Sequence, residues 1–152
     1  DPPKNLVLLP YVSMHGSTAM MVERLTAALS EREVRVEPFN MTVTDLGKLA
    51  INLVDAASIV FATPTVLVGP HPGIVSVAYL VNALRPKLRY AAVIGSYGWG
   101  GKAVETVQGL LKSLKVEWFP PVITRGLPTA ETNKALDALA DRIAEHHRGL
   151  EV

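Results

Sequence analysis

The sequence predicts a doubly wound α/β sandwich, in which helices cover both faces of a parallel sheet. Apolar runs of strand length alternate with amphipathic helical stretches along all 152 residues. The strand runs are apolar on both faces, which is typical of buried parallel strands. Parallel neighbours must be joined by right-handed crossover connections, which places helices on both sides of the sheet. A chain of this length is most simply one domain.

Five strands are predicted from apolar runs bounded by turn residues. The first, NLVLLPYV, includes Pro10, which lacks the N–H group that a central position uses. The second, VRVEPF, is short and alternating, whereas SIVFAT is apolar on both faces. The predicted strands are residues 5–12, 34–39, 58–63, 90–96 and 116–122.

Five helices are predicted from apolar spacing and capping residues. Ser17 or Thr18 is the predicted N-cap of the first helix, and Thr129 and Thr132 are rival caps of the last. The helices are residues 17–33, 44–56, 74–84, 102–114 and 129–147. The predicted apolar stripes are Met21, Val22, Leu25, Ala28 and Leu29 in the first helix, Leu46, Leu49, Ile51 and Val54 in the second, Val104, Val107, Leu110, Leu111 and Leu114 in the fourth, and Leu136, Leu139 and Ile143 in the last.

Composition excludes several classes of function. A net charge of +1 without a run of Lys or Arg argues against nucleic acid or an acidic membrane as partner. The absence of cysteine removes disulfides, iron–sulfur clusters and thiolate catalysis, and no apolar run is long enough to span a bilayer. We expect a cytoplasmic protein. Residues 1–4 read as a linker remnant, 5–148 as the domain and 149–152 as a tail, and we expect the chain to derive from a longer one.

Ligands of doubly wound sheets bind beyond the carboxyl ends of the strands, where strand order reverses. Residues 13–18, 63–73 and 96–101 have that position. No P-loop pattern is present, which excludes that class of nucleotide site. Residues 98–103 fit the dinucleotide fingerprint G-x-G-x-x-A, with Glu117 as a ribose-binding acid. Two features oppose that interpretation: only one strand and one helix follow, and Trp99 would occupy the place of the pyrophosphate.

The first of these loops, SMHGST, predicts a cradle for a single phosphomonoester. Ser13, Ser17 and Thr18 offer hydroxyl groups, and Gly16 permits a tight turn. The start of the following helix adds free amides and the positive end of the helix dipole. The loop contains no Lys or Arg, so the donors are uncharged. The alternative is an ordinary capped helix after a turn.

Taken together, the loops resemble those of the flavodoxin superfamily, and most closely the flavodoxin-like domain of flavodiiron proteins, also called A-type flavoproteins. SMHGST is similar to the pattern S-x-x-G-[ST]-[ST], and TPTVLVG to S-P-T followed by an aromatic or aliphatic residue, two Asn and Gly. GSYGWGGKAV resembles G-S-Y-G-W-[SG]-G-x-A-V, the most specific of the three patterns. The resemblance covers nearly the whole chain. It implies a flavodoxin-like three-layer sandwich whose five-stranded parallel sheet has the order 2-1-3-4-5.

The resemblance also implies FMN as the cofactor. The first loop would hold the phosphate, the second would flank the ring and ribityl chain, and the third would bind the pyrimidine edge. Tyr97 or Trp99 would form an aromatic wall, unless these side chains pack under the following helix. The implied cofactor-binding residues are Ser13, Met14, His15, Gly16, Ser17, Thr18, Thr63, Pro64, Thr65, Val66, Leu67, Gly69, Ser96, Tyr97, Gly98, Trp99, Gly100 and Gly101. Val66, Leu67 and Val68 depart from the pattern of the second loop, and they make the side of the site that this loop forms more apolar.

The function implied is electron transfer by a bound flavin, with no catalytic residue or metal-ligand set in this chain. The expected partner is a redox protein or a di-iron domain, with a homodimer possible in the full-length parent. Two alternatives remain open: an NAD(P)H-dependent FMN reductase, and an interaction domain that has lost FMN. His146 and His147 are interpreted as solvated tail residues, and His15 and His71 as isolated histidines.

Overall fold

The structure is a computed structural model that describes residues 2–14, 16–66, 69–97 and 102–151, with Val66 and Tyr97 described by their backbone alone. The strands of this part are β1 (Lys4–Tyr11), β2 (Arg35–Asn40), β3 (Ala56–Val66), β4 (Gly69–Pro70), β5 (Tyr90–Tyr97), β6 (Glu117–Trp118) and β7 (Val122–Arg125). The helices are α1 (Ser17–Glu31), α2 (Leu46–Leu53), α3 (Pro72–Leu84), α4 (Ala103–Leu110) and α5 (Ala130–His146).

The predicted strand order is confirmed, but the number of strands is not. The sheet runs β2-β1-β3-β5-β6, and β7 also pairs with β5. The predicted fifth strand, 116–122, is therefore two short strands, because Pro120 and Pro121 interrupt the ladder and donate no hydrogen bond. Residues 64–73 are not simply a loop, since β3 continues to Val66 and pairs with the antiparallel β4.

The core lies in two layers, one on each face of the sheet. Val7 and Leu9 point to the layer under α1 and α5, whereas Leu8 points to the layer under α2, α3 and α4. Val60 and Phe61 divide in the same way along β3. Burial of successive residues on opposite faces confirms the prediction from the apolar strands.

Several predictions about the helices were wrong. The N-cap of α1 is Gly16, so Ser17 and Thr18 are its first two helical residues and not its cap. In α2 the buried residues are Leu49 and Leu53, four residues apart on one face, while Ile51 and Val54 are 74% and 59% exposed. Helix α4 ends at Leu110, four residues earlier than predicted.

The rival caps of α5 act together. The Thr129 side chain accepts a hydrogen bond from the Thr132 amide, and the Thr132 hydroxyl accepts one from the Thr129 amide. This is a capping box, in which two otherwise unsatisfied amides at the start of a helix are bonded reciprocally. Thr129 is the N-cap and Thr132 completes the capping box, so the two predicted caps are not alternatives.

His147 is buried, which overturns its interpretation as a solvated tail residue. It is 2% exposed. Its Nε2 atom lies 2.6 Å from Ser58 Oγ, and its Nδ1 atom lies 2.9 Å from Asn5 Oδ1. The side-chain nitrogen of Asn5 donates to the Glu33 carbonyl, so the side-chain oxygen of Asn5 faces the imidazole. Because that oxygen can only accept a hydrogen bond, His147 Nδ1 carries the proton. The neutral ring thus connects the end of α5 with the starts of β1 and β3.

Burial, with a smaller contribution from His146, lowers the pKa of His147 to about 4. An unfolded histidine takes up a proton near pH 6.5, whereas the folded ring resists protonation until about pH 4. We therefore expect the contribution of His147 to the unfolding free energy to be nearly constant above pH 6.5 and to fall by about 3 kcal/mol between pH 6.5 and pH 4. Urea denaturation at a series of pH values measures this loss.

Two variants separate His147 from other titrating groups. His147→Gln lacks the titrating ring, so its unfolding free energy should change less between pH 6.5 and 4 than that of the parent chain. His146→Gln changes the adjacent, less buried histidine, which contacts Glu117 and Tyr90, and should keep most of the pH dependence, because burial is the larger cause of the lowered pKa of His147. Equal pH profiles for His147→Gln and the parent chain would contradict the assignment.

Candidate functional site

The three predicted loops leave the sheet from neighbouring strands. β1, β3 and β5 are adjacent and parallel, so their carboxyl ends lie at one edge of the sheet. Tyr11 pairs with Ala62, Thr63 with Gly95, and Pro64 with Ser96. The structure therefore brings together the described parts of all three segments at this edge, as the strand order requires.

The start of α1 has a backbone conformation that favours glycine. Gly16 has a left-handed backbone with φ of 88°, and a Cβ atom added there would meet no atom of the described residues, apart from its chain neighbours, within 4 Å. Gly16, as the N-cap, has no side chain that could cap the helix, and among the described residues Ser13 Oγ accepts a hydrogen bond of 3.3 Å from the amide of Ala19, the third residue of α1. The first amides of an uncapped helix form a ready site for an anion. The prediction that Ser17 or Thr18 caps this helix was wrong, whereas the contact of their hydroxyl groups with a phosphate stays a prediction.

Thr18 supplies the most informative atom of the first segment. Its side chain is 1% exposed, and its Oγ1 atom has no hydrogen-bond partner among the described residues. A buried hydroxyl group without a partner costs about 1–3 kcal/mol, so such atoms are uncommon in proteins. An acceptor placed at the start of α1 would remove this cost. The donors of this segment suit a phosphate group, because hydroxyl and amide groups bind the anion without a counter-charge.

In the second segment, the Thr63 hydroxyl forms hydrogen bonds with other groups of the protein. The Thr63 hydroxyl accepts a 2.9 Å hydrogen bond from the His71 amide and donates to the Pro64 carbonyl over 2.8 Å. Thr65 pairs with Pro70 in the β3–β4 ladder, which folds this segment back over the edge. Leu67 lies outside the described residues, and Val66 and Gly69 are placed by their backbone pairing.

The third segment begins on a tightly packed strand. A Cβ atom at Gly95 would lie 1.9 Å from the Thr63 carbonyl oxygen, so the backbone of β3 leaves no room for a side chain at this position of β5. Ser96 is half-buried between Pro64 and Thr124, its partners on the neighbouring strands. Tyr97 is placed by its backbone, opposite Arg125. Gly98, Trp99, Gly100 and Gly101, like His15 in the first segment, lie outside the described residues. The aromatic wall stays a prediction.

Sequence reasoning missed two residues at this edge. His71 is the N-cap of α3, and its Nδ1 atom accepts a 2.9 Å hydrogen bond from the Gly73 amide. A polar residue directly before a proline that opens a helix was an available signal. Gly95 was read as an ordinary member of an apolar strand, although a glycine inside a strand often marks a close approach of backbones.

None of the helices in the described part of the chain is long and apolar enough to cross a membrane. Within the same residues, no group of three or more His, Asp or Glu side chains is placed to hold a metal ion.

Comparison with known proteins extends these observations. The flavodoxin family matches residues 9–140. The type A flavoprotein of Rhodobacter capsulatus is 28% identical over 145 residues, which are 94% of this chain and 33% of that protein. The rubredoxin oxygen:oxidoreductase of Desulfovibrio gigas matches with a TM-score of 0.91 at 23% identity, over 97% of this chain and 37% of that one. The flavodiiron protein of Giardia intestinalis gives a TM-score of 0.86 at 20% identity, over 95% and 36% of the two chains.

The chain thus spans about a third of the length of these relatives. The family match covers most of the sequence and all three loops at the carboxyl edge of the sheet. The resemblance predicted from the loop patterns is confirmed: the chain belongs to the flavodoxin family and is similar to the flavodoxin-like domain of flavodiiron, or A-type, flavoproteins.

Proposed function

We propose that this chain is an FMN-binding electron-transfer domain of the flavodiiron type. The observation that carries the proposal is the buried Thr18 hydroxyl, without a partner among the described residues, beside the uncapped start of α1. Around it, neutral donors converge at the edge where a flavodoxin fold binds its ligand. Ser13, Gly16, Ser17 and Thr18 would hold the phosphate.

The other two segments would hold the remainder of the cofactor. Residues 63–69 would border the ring and the ribityl chain, and residues 96–101 would offer main-chain donors to the pyrimidine edge. When bound, FMN supplies the transfer of single electrons, and the protein binds, orients and shields it. The partner would be a redox protein or a di-iron domain in the same parent polypeptide, where two copies would associate as a homodimer.

Absorbance spectroscopy and titration test the proposal. The purified chain, stripped of any flavin, should bind one equivalent of FMN, with quenching of the flavin fluorescence. Riboflavin, which lacks the phosphate, should bind more weakly because the start of α1 then contributes nothing. Failure to bind FMN would favour an interaction domain without a cofactor. Bleaching of the bound flavin by NAD(P)H without a partner would favour an FMN reductase.

Thr18→Val removes the hydroxyl and keeps the shape of the side chain. Without FMN, we expect the variant to be as stable as the parent chain or more so, because a buried group without a partner is lost. With FMN, we expect the Kd to rise about tenfold or more, since hydrogen bonds to charged groups contribute about 1.5–3 kcal/mol. Urea denaturation and FMN titration measure the two opposite effects.

Thr26→Val is the matched control. Thr26 lies on the same helix, and its Oγ1 atom is also buried without a partner among the described residues. It lies more than two helical turns from the start of α1. Its loss should affect stability as Thr18→Val does and leave the Kd for FMN unchanged. An unchanged Kd for FMN in Thr18→Val would show that the Thr18 hydroxyl does not bind the cofactor.

A further inference from the structure

A cleft crosses the amino edge of the sheet, the edge opposite to the three segments of the candidate site. It consists of two adjoining cavities of about 690 Å³ and 270 Å³, which share Lys4 and Asp55 as lining residues. Lys4 begins β1 and Asp55 directly precedes β3, so the cleft lies where these strands start. Among the described residues, the charged side chains that line the larger cavity are four cations, Lys4, Lys87, Arg89 and Arg148, and two carboxylates, Asp55 and Glu151. The lining therefore carries a net positive charge.

These four cations form no ion pair within the described part of the chain. The ion pairs found there belong to other cations, namely Arg24, Arg32, Arg35 and His146. Arg32 shows the contrast, because its guanidinium group binds the Asp141 carboxylate over 2.7 Å and the Ala28 carbonyl over 2.7 Å. The four cations of the cleft are exposed to solvent. Their charges are therefore accessible to an anionic partner.

The near-neutral net charge of the chain conceals a polarised surface. Residues 82–116 contain six of the 15 Lys and Arg residues but only one of the 14 Asp and Glu residues. Five of these cations lie on two connections at the amino edge, namely Arg85, Lys87, Arg89, Lys112 and Lys115. The two connections lie side by side, because Asn82 Oδ1 accepts the Ser113 amide over 3.1 Å and the Arg89 carbonyl accepts the Glu117 amide over 2.8 Å. The positive surface thus extends from the cleft across the neighbouring connection.

The strand register separates the cations of the cleft. The Lys4 amide donates to the Asp55 carbonyl over 2.6 Å, and the Arg89 amide donates to the Ala57 carbonyl over 2.8 Å. Since β1, β3 and β5 are successive strands, the backbones of Lys4 and Arg89 are about 10 Å apart, and Asp55 lies between them. A single small anion held by both cations would approach the Asp55 carboxylate. An extended peptide advances about 3.3 Å per residue, so acidic side chains three residues apart reach both cations and avoid Asp55.

We propose that this amino-edge cleft binds an extended acidic segment of another protein. Carboxylates about three residues apart pair with Lys4 at one position and with Lys87 and Arg89 at the other, and an uncharged residue lies opposite Asp55. Exposed ion pairs are individually weak, so a segment with several carboxylates suits the cleft better than one anion. The two cavities form a path along the strand starts, which matches an extended chain. Binding there does not require FMN, because the cleft and the candidate flavin site lie at opposite edges of the sheet.

An NMR titration of the isotope-labelled chain at low ionic strength tests the inference. The probe is a peptide of Glu-Ser-Ser repeats, which has an acidic residue at every third position, and a peptide of Gln-Ser-Ser repeats is its uncharged control. We expect the Glu peptide to shift the amide resonances of Lys4, Asp55 and Arg89, with affinity that falls as salt is added. The Gln peptide should cause no such shifts. Equal binding of the two peptides, or shifts at the carboxyl edge of the sheet instead, would overturn the inference.

Charge variants test the predicted positions. Lys87→Gln combined with Arg89→Gln should raise the Kd for the Glu peptide about fivefold, because two exposed ion pairs are lost, and Asp55→Asn should lower it about twofold, because a repulsive charge is removed. Lys48→Gln combined with Lys134→Gln is the matched control. It removes the same charge near the starts of α2 and α5, at the opposite edge, and should leave the Kd unchanged. Urea denaturation verifies that each variant is folded.

Three other results would overturn the inference without affecting the proposed FMN site. Equal weakening by the two double variants would show that only the net charge of the chain acts. Tighter binding of a single-stranded oligonucleotide of equal charge would assign the cleft to nucleic acid. A dimer that dissociates in Lys87→Gln with Arg89→Gln, measured by sedimentation, would assign the cleft to a second copy of this chain.

Discussion

Ser17→Glu is expected to abolish FMN binding while leaving the domain folded. Ser17 is the first helical residue of α1 and is largely buried at the proposed phosphate cradle. A carboxylate there would face the phosphate, and two unit charges about 4 Å apart near a protein surface repel by about 4 kcal/mol. We expect the Kd to rise about a thousandfold, which titration at micromolar flavin would register as loss of binding.

The fold should tolerate this carboxylate. Negative charge at the start of a helix is favourable, so the apo domain should be about as stable as the parent chain in urea denaturation. Ser17→Gln is the matched control, because it has nearly the same size without the charge. We expect it to bind FMN more tightly than Ser17→Glu. Equal affinities in the two variants would show that size alone acts, and retained FMN in Ser17→Glu would show that the phosphate lies elsewhere.

Gly95→Ala is expected to cause the largest loss of stability. Its Cβ atom would lie 1.9 Å from the Thr63 carbonyl oxygen and 3.0 Å from the carbonyl carbon. Backbone atoms in the middle of a sheet cannot rotate away, so β3 and β5 would have to separate at the edge that forms the site. We expect the unfolding free energy to fall by about 3 kcal/mol or more, measured by urea denaturation, with FMN affinity falling as well.

Gly109→Ala provides the control for this substitution. Gly109 lies in the last turn of α4, and a Cβ atom there would meet no atom of the described residues within 4 Å. Alanine is favoured over glycine in a helix by about 1 kcal/mol, so this variant should be more stable than the parent chain. If Gly95→Ala proved as stable as Gly109→Ala, the close approach of β3 and β5 would not exist in solution.

The sequence patterns predicted what depends on local spacing. Strand order and the meeting of three segments at one edge follow from alternating apolar runs and parallel connections, and both are present. The division of the last strand is explained by Pro120 and Pro121, which were visible but were given too little weight. The predicted apolar stripe of α2 was wrong because the apolar residues of this short helix do not share one face. In α2, only Leu49 and Leu53 reach the core.

The roles of individual polar side chains were beyond the reach of these patterns. The local sequence around His147 does not show that its ring is buried and forms hydrogen bonds with Ser58 and Asn5, which are distant along the chain. The bond from the Gly73 amide to the His71 imidazole is local, whereas the bond from the His71 amide to the Thr63 hydroxyl forms only in the folded chain. Tertiary contacts of this kind decide protonation and hydrogen bonding, which periodicity does not encode.

The contacts of Asn5 have a consequence for how the domain can be joined to others. The backbone amide of Asn5 donates to the Glu151 carbonyl over 2.7 Å, so the first strand and the end of the chain lie side by side. They meet at the amino edge of the sheet, the opposite side from the three segments of the candidate site. Fusions at either end, or a circular permutant that links them and opens the chain elsewhere, would therefore leave the candidate site untouched.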